Sequence, residues 1–362
     1  MVNEKLDLKE NNPEADPLTS NGLNPDASGL IKEDTITLDV LRRLVGQSVL
    51  SVQQFDKELV IELCKFAALL ETTEIAGSHP LDGKIVITAF FEPSTRTRLS
   101  FESAVVRLDG KILSIPEGQS TGIAKGESLS DIGEMFNAYG DAIVMRHTKT
   151  SALEEVMQNL RIPLINAGNG SGEHPTQALT DWFAILKWKP NLKGVVTPEE
   201  RIHLGILGTP GSMRAVNSFL RMSVLFKENI RRISIVSELA DPLGEELTEM
   251  LSDSGVEFLI TNDVNEVVGD LDVIYMNSIA FLGDSYKSLD CRFKLDEKSK
   301  LKEDAVVLHP LARLDELDPK LDGTHHNLYF TQAHGAVFIR QALFISVLNR
   351  FNRLPEKEVP VN

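Results

Sequence analysis

Short apolar runs alternate with longer helical patterns along the chain from about Ile36 onward. The apolar runs are short enough for buried strands and are bounded by polar turns. The predicted strands are Lys84–Phe91, Lys111–Ile115, Ala142–Met145, Pro163–Asn166, Ile202–Leu207, Arg232–Val236, Phe258–Thr261, Asp272–Met276 and Ala305–Leu308. Strands that alternate with helices predict an α/β fold of two doubly wound domains, each with a central parallel sheet flanked by helices.

Composition along the chain predicts where the domains begin and end. Residues 1–35 are polar, acidic and rich in Asn and Pro, which predicts a disordered tail; a bland extension is favoured over a regulatory one. Residues 36–180 are predicted to form a first domain, which the C-terminal helix 331–354 completes. Residues 181–330 are predicted to form the second domain.

Charge and cysteine content narrow the classes of function. The formal net charge of −16 argues against broad nucleic-acid binding, which needs a basic face. A few converging cations and helix N-termini can still hold one phosphate inside an acidic protein. The sequence has no apolar run long enough for a membrane span and no secretory signal pattern. Cys64 and Cys291 cannot form a disulfide framework, which favours a cytoplasmic location.

A hydroxyl-rich turn follows the strand that ends at Phe91. Ser94 is suited to the N-cap of a helix, whose free N–H groups and positive dipole end favour an anion. Thr95 and Thr97 add hydroxyl donors, and Arg96 adds a planar fork that matches phosphate oxygens. The pattern favours a phosphate site; the alternative is a plain capped helix with surface arginines.

Two further cations are candidates for the same site. Lys125 lies in the long polar loop Pro116–Glu127 and is either a mobile phosphate ligand or a solvated lysine. Arg146 follows the strand Ala142–Met145, so it should emerge at the same sheet edge as Ser94. An arginine at that edge is well placed for a ligand, although an arginine that leaves a strand is often only solvated.

A Gly-rich turn leads into a helix that is predicted to begin near His174. His174 and Gln177 are three residues apart and share a helix face, where an imidazole and an amide can polarise a carbonyl and hold an amide. The alternative is a helix cap with a structural histidine. Pro310 and Leu311 follow the last predicted strand, and their backbone carbonyls are free to accept from a ligand amide.

Other chemistry is not supported by the motifs. Residues 205–211 follow a strand and precede a helix, but they lack the GxGxxG spacing, and Pro210 stands where backbone N–H groups should face a pyrophosphate. The sequence contains no HExxH, no clustered cysteines and no P-loop pattern. Neither a metal nor another cofactor is therefore expected.

Taken together and in this order, the motifs resemble those of the aspartate/ornithine carbamoyltransferase family. The segments FFEPSTRTRLSFESA, HPTQALTD, HPLARLDEL and YFTQAHGAVFIRQAL resemble the aspartate branch, because the ornithine branch is expected to carry a cysteine where Pro310 stands. The resemblance covers the chain from about Thr37 to Leu354. It implies a transferase that binds carbamoyl phosphate in the first domain and an amino-acid acceptor in the second, without a cofactor.

The resemblance also implies roles for individual residues. It implies that the phosphate is held by hydroxyls and a guanidinium of one turn, namely Ser94, Thr95, Arg96 and Thr97. It implies that the carbamoyl end is held and polarised by Arg146, His174 and Gln177, and by the carbonyls of Pro310 and Leu311. Thr121 and Lys125 match residues that reach the site from a neighbouring subunit of a homotrimer, and Arg214 matches an arginine that grips the acceptor α-carboxylate.

The acceptor side departs from the aspartate pattern. Aspartate enzymes carry an Arg and a Gln where Ser278 and Ala280 stand, and a proline where Ala312 stands. A serine cannot replace a bidentate arginine for a carboxylate. Either another cation takes its place, with Arg292, Lys287 and Arg313 as candidates, or the acceptor is not aspartate.

Three hypotheses for the function remain. In the first, the acceptor is aspartate and the product serves pyrimidine biosynthesis. In the second, the same donor chemistry acts on a different amine or amino acid. In the third, the chain is a weakly active paralogue kept for binding or assembly. The intact donor motifs argue against the third hypothesis, because a scaffold has no need of them.

Overall fold

The computed structural model describes residues 22–32, 35–73, 78–116, 122, 126–277 and 290–354. Among these residues, the predicted parallel sheets are confirmed as one sheet of four strands and one of five. The strands are β1 (Ile85–Phe90), β2 (Lys111–Ile115), β3 (Ala142–His147), β4 (Leu164–Asn169), β5 (Ile202–Leu207), β6 (Ile230–Val236), β7 (Glu257–Thr261), β8 (Val273–Met276) and β9 (Val306–Leu308).

Helices connect the strands and cover the sheets. They are α1 (Leu38–Arg42), α2 (Lys57–Thr72), α3 (Thr95–Arg107), α4 (Leu129–Tyr139), α5 (Ala152–Met157), α6 (Pro175–Trp188), α7 (Arg214–Leu225), α8 (Gly244–Ser254) and α9 (Tyr329–Val347). Within the described residues, none of these helices has the length and apolar character that crossing a membrane requires.

The strand order shows where each sheet forms a crevice. The first sheet has the order β2-β1-β3-β4 and the second has the order β7-β6-β5-β8-β9, with parallel neighbours throughout. In the first sheet, the chain runs from β1 to the neighbour on one side, β2, and from β3 to the neighbour on the other side, β4. In the second sheet, β5 and β8 are likewise adjacent strands whose connections run in opposite directions. A crevice forms outside the carboxyl ends of strands at such a switch point. The chain therefore builds two crevices, one at each sheet.

The C-terminal helix α9 joins the two halves of the chain. It begins after β9 of the second sheet and packs against α2, α3 and α6 of the first half. Most of its residues are buried on every side, as expected for a helix between layers. The division of the chain at residue 180 stays a prediction.

The segment before α1 differs from the predicted tail. Residues 27–30 form a short 3-10 helix in which Leu30 is fully buried, and this helix packs against α2 and α6. The Leu23 backbone N–H donates to the Asn327 carbonyl at 2.9 Å, and the Leu23 carbonyl accepts from Thr331 Oγ1 at 2.7 Å. The prediction of disorder is therefore wrong for residues 22–32. A few apolar side chains are enough to order a segment when they pack into a groove that the rest of the fold already forms. Residues 1–21 lie outside the described residues.

Candidate functional site

One cavity of about 910 Å³ lies where the two crevices face each other. Its wall includes turns that follow β1, β4, β5, β8 and β9, together with Arg146 near the end of β3, the start of α6 and one side of α9. The wall contains ten of the predicted site residues, which are Ser94, Thr95, Arg96, Thr97, Arg146, His174, Gln177, Arg214, Pro310 and Leu311. The seven residues that belong to the first sheet and its helices gather at the margin of that sheet, as predicted, whereas Arg214, Pro310 and Leu311 come from the second sheet. The individual roles of all ten stay predictions.

The start of α3 provides the polar end of the cavity. Ser94 occupies the N-cap position with extended backbone angles, as predicted, but its hydroxyl does not cap the helix and instead lines the cavity. Thr95 and Arg96 are exposed at this end. Unpaired N–H groups, hydroxyls and a guanidinium therefore face the same space, which suits a phosphate.

A carboxylate between two arginines joins the two halves of the site. Glu92 Oε1 accepts from Arg146 Nη2 at 2.6 Å and from Arg214 Nη2 at 2.5 Å, and Oε2 accepts from Arg214 Nη1 at 3.0 Å. Burial opposes ionisation of Glu92, but the two arginines outweigh it and hold its pKa below the ordinary value. Gly168, with φ +111, leaves room for the Arg214 side chain to reach Glu92, because an added Cβ at residue 168 would lie 3.0 Å from Arg214 Nε.

The His174 imidazole is buried with one ring nitrogen unpaired. Its backbone N–H donates to Ser218 Oγ at 2.8 Å, while Nε2 has no hydrogen-bond partner among the described residues. Burial lowers the pKa of His174 well below its ordinary value, and the charges of Arg146 and Arg340 lower it further. The imidazole is therefore neutral near pH 7, and Thr176 Oγ1 lies 3.4 Å from Nδ1. A neutral ring with Nε2–H can donate to a carbonyl oxygen in the cavity.

Asp181 is fully buried outside the cavity wall and connects several residues that line the cavity. Its Oδ1 accepts from Gln177 Nε2 at 2.7 Å and from Gln332 Nε2 at 2.5 Å. Gln332 Oε1 in turn accepts from the His309 backbone N–H at 2.8 Å. Burial raises the pKa of Asp181 to about 7, although the two amide donors lower it. Asp181 Oδ2 has no hydrogen-bond partner among the described residues, and the buried Tyr275 hydroxyl lies near enough to perturb the pKa.

The end of the cavity formed by the second sheet has little positive charge. Between β5 and β9, Arg214 is the one guanidinium among the described residues of the wall. Of the substitutes that the sequence suggested, Arg313 pairs with Asp322 and does not line the cavity, and Arg292 is paired with Asp290 at the surface. The third, Lys287, lies outside the described residues, as do Ser278 and Ala280.

Two other predicted site residues also fall outside the described part of the chain. Thr121 and Lys125 belong to the loop after β2, of which the structure describes Pro116, Gly122, Gly126 and Glu127. Among the described residues, no cluster of three or more His, Cys, Asp or Glu side chains could hold a metal ion.

Sequence reasoning missed four polar residues of the site: Glu92, Asp181, Gln332 and Arg340. The Arg340 guanidinium contacts the Ser100 hydroxyl and stacks 4.3 Å from the Phe101 ring centroid, and burial lowers its pKa to about 9. Two of the four had a local signal. Glu92 directly precedes the hydroxyl-rich turn, and Asp181 follows Gln177 by one helical turn.

Models of known families match both halves of the chain. Residues 47–187 match the carbamoyl-P binding domain of the aspartate/ornithine carbamoyltransferases, and residues 200–347 match their Asp/Orn binding domain. An aspartate carbamoyltransferase catalytic subunit from Thermofilum pendens is 37% identical over 309 residues, which cover 84% of this chain and 95% of the relative. One from Pyrobaculum calidifontis is 35% identical over 310 residues, covering 84% and 98%.

Solved structures of similar proteins lead to the same family. The aspartate transcarbamoylase of Trypanosoma cruzi in complex with carbamoyl aspartate and phosphate aligns with a TM-score of 0.75 at 30% identity, covering 85% of this chain and 98% of that one. The complex of that protein with N-(phosphonacetyl)-L-aspartic acid gives a TM-score of 0.73 at 32% identity, with 85% and 97% covered.

Proposed function

The chain belongs to the aspartate/ornithine carbamoyltransferase family, and from that premise we propose that it transfers the carbamoyl group of carbamoyl phosphate to L-aspartate. The products are N-carbamoyl-L-aspartate and phosphate, as needed for pyrimidine biosynthesis. The observation that carries the proposal is that Ser94, Arg96, Arg146 and His174 line one cavity. Aspartate as acceptor is supported by the names of the relatives and by the aspartate complex of the Trypanosoma cruzi protein.

The proposed reaction uses positioning and electrostatics. The phosphate lies at the N-terminus of α3, and the carbamoyl oxygen accepts from His174 Nε2 and Arg146. The uncharged amine attacks the carbamoyl carbon, the C–O bond to phosphate breaks, and the departing phosphate takes the amine proton. Holding both substrates in line supplies much of the acceleration. Donors aimed at the developing oxyanion lower the barrier further.

Phosphate release measures this function directly. The full chain is supplied with carbamoyl phosphate and, separately, with aspartate, ornithine, alanine and other amines, and both phosphate and the carbamoylated amine are quantified. Turnover with aspartate alone supports the proposal. Turnover with another amine alone shows that the acceptor differs. Binding of carbamoyl phosphate without turnover of any amine indicates a paralogue kept for binding or assembly.

A second candidate acceptor is an amine or amino acid without a second carboxylate. It is favoured by the single guanidinium, Arg214, that the described wall carries between β5 and β9. Losing a buried charged partner typically costs about 2–5 kcal/mol. If this acceptor is the correct one, Ser278→Arg raises turnover of aspartate, with Arg292→Lys at the exposed ion pair as the matched control. No gain in a folded Ser278→Arg protein that still binds carbamoyl phosphate contradicts this second candidate.

We further propose a homotrimer in which Thr121 and Lys125 complete the site of a neighbouring subunit. The proposal is supported by apolar side chains left exposed on α3 and on the edge strand β2, namely Val106 and Leu113. Val106 on α3 and Leu113 on β2 are 58% and 47% exposed, as expected for a contact that one subunit cannot make alone.

Mixing inactive variants tests the shared site. Lys125→Ala and His174→Ala each impair every site of their own homotrimer. After dissociation and reassembly in equal amounts, about a quarter of the sites draw both intact residues from different subunits, so activity returns. Failure of the mixture to regain activity, with sedimentation showing mixed trimers of the 40.1 kDa chain, contradicts the shared site.

The remaining proposals concern domains and location. Residues 36–180, completed by the C-terminal helix 331–354, form the carbamoyl-phosphate-binding domain, and residues 181–330 form the amino-acid-binding domain. The division into two domains is supported by the two family matches, at residues 47–187 and 200–347. The place of the C-terminal helix in the first domain is supported by the packing of α9 against α2, α3 and α6. A cytoplasmic location is supported by Cys64 and Cys291, which are both unpaired.

A further inference from the structure

The buried Asp181 carboxyl contacts two residues of the donor end without reaching the cavity itself. It lies on α6, one turn after Gln177, and its Oδ1 accepts from Gln177 Nε2 at 2.7 Å. It is fully buried, and the cavity wall does not include it, so it is not placed to touch a substrate. Its effect on the reaction must therefore pass through the side chains that it holds.

The contact with Asp181 fixes which way the Gln177 amide points. A carboxyl oxygen in this position accepts hydrogen bonds, so Gln177 has to present its NH2 group to Asp181. The amide carbonyl, Oε1, is then left for the cavity that Gln177 lines. A carbonyl oxygen at that point accepts hydrogen bonds from a ligand group such as NH2. It forms no hydrogen bond with a methyl group.

The second contact of Asp181 leads to the opposite side of the same ligand position. Gln332 on α9 donates from Nε2 to Asp181 and accepts with Oε1 from the His309 backbone N–H. His309 is further held by Glu316, at 2.9 Å from Nε2, and its Nδ1 accepts from the Leu311 backbone N–H at 2.8 Å. One carboxyl thus orders both Gln177 and the turn after β9 that lines the cavity.

We propose that Asp181 is a positioning residue that makes the donor site selective for an NH2 group, by turning hydrogen-bond acceptors toward it from α6 and from the turn after β9. The inference rests on the proposed function, since it assumes that the bound donor carries a carbamoyl group. It goes beyond that function in assigning the discrimination between carbamoyl phosphate and other acyl phosphates to a residue outside the cavity.

Binding of two donors by the full chain tests the inference. Carbamoyl phosphate and acetyl phosphate have similar shapes, but acetyl phosphate carries a methyl group where carbamoyl phosphate carries NH2. The wild-type protein is expected to bind carbamoyl phosphate about tenfold or more tightly, from two or more hydrogen bonds. Asp181→Leu leaves both amides without their acceptor, and the ratio of the two dissociation constants falls toward one. Asp181→Asn keeps an acceptor oxygen at this place and retains most of the ratio.

Binding of inorganic phosphate distinguishes a variant that has lost the positioning of Gln177 from a variant that has lost the fold of the site. The helix-end site of α3 does not contact Asp181, so the dissociation constant for inorganic phosphate stays within about twofold in every folded variant. If Asp181→Leu does not fold, Gln332→Met removes the branch to His309 alone and is expected to lower the ratio several-fold. An unchanged ratio in the folded variants overturns the inference while leaving the function standing. A wild-type protein without preference for carbamoyl phosphate overturns the proposed function as well.

Discussion

Glu92 and Arg214 form a two-point ion pair across the cavity, with Nη2 and Nη1 of the arginine 2.5 and 3.0 Å from the two carboxylate oxygens. Glu92 follows the first strand of one sheet, and Arg214 begins the first helix of the other. The pair therefore links the cavity wall of the first sheet to the cavity wall of the second sheet. Arg146 contacts the same carboxylate, so Glu92 also keeps two like charges close together.

Replacing Glu92 by Ala is expected to lower kcat/KM strongly while the protein stays folded. Removing one partner of a buried charge pair typically costs about 2–5 kcal/mol. The Glu92 pair is only partly buried, so the low end applies, which corresponds to a loss of about 30-fold. Steady-state kinetics with carbamoyl phosphate measure the effect, and Glu249→Gln on the exposed face of α8 serves as control. Equal kinetic constants for Glu92→Ala and the control would show that the ion pair is not used in catalysis.

The unpaired Nε2 of His174 predicts a difference between two substitutions. Gln retains a side-chain N–H donor, whereas Ala has none. We expect His174→Ala to lower kcat by about 100-fold to 1,000-fold, as for loss of an oxyanion donor, and His174→Gln to lose less. Comparable losses in both variants would contradict a donor role.

The pH dependence of the rate provides a second check on His174. Burial holds its pKa well below the ordinary value of 6.5, so protonation of this ring is not expected to lower the rate between pH 8 and pH 6.5. A kcat that falls across this range in the wild type but not in His174→Gln would contradict the neutral donor.

Asp181 gives the free energy of unfolding a defined pH dependence. Its pKa is about 7 in the folded chain against 3.8 for an ordinary aspartate, with burial as the main cause. Between pH 3.8 and about pH 7, Asp181 therefore keeps its proton in the folded state but has released it in the unfolded state. The stability that this group contributes is therefore full below about pH 4 and is lost as the pH rises through about 7.

Thermal unfolding at several pH values measures this contribution. Asp181→Asn has no group that titrates at this place, so its melting temperature is expected to fall less than that of the wild type between pH 5 and pH 8. Asp253→Asn, at an exposed position of α8, is the matched control. Parallel curves for the wild type and Asp181→Asn would contradict the raised pKa.

The packed segment before residue 47 is expected to stabilise the fold. Leu30 is fully buried against the first half of the chain, and replacing a buried leucine by alanine typically costs about 2–5 kcal/mol. Urea unfolding of Leu30→Ala should show a clear loss, whereas Leu314→Ala, at a side chain 60% exposed, should show almost none. The same small loss in both variants would mean that residues 22–32 do not pack as described.

Local patterns predicted the strands well because buried parallel strands are short, apolar and bounded by polar turns. All nine predicted strands are present, and the largest shift is at the end of β4, predicted at Asn166 and observed at Asn169. The gathering of Ser94, Arg146 and His174 also followed from their positions at strand and helix ends.

Contacts between distant segments could not be predicted in the same way. Gln332 lies 151 residues from Asp181 in sequence, and no periodicity indicates that their side chains meet. The packing of residues 22–32 depends likewise on grooves formed by α2, α6 and the start of α9, which exist only in the folded chain.

In the proposed reaction, the two facing switch points place the chemistry of the donor and that of the acceptor on different walls. Residues after β1 and β4, with Arg146 at the end of β3, contribute to one wall, whereas residues after β5 and β8 contribute to the other. A substitution after β8 is therefore expected to change which amine is accepted without changing the proposed phosphate site at the N-terminus of α3. An ancestral transferase built in this way can diversify its acceptors by changes at one strand end, and laboratory evolution of new carbamoylated products should begin there.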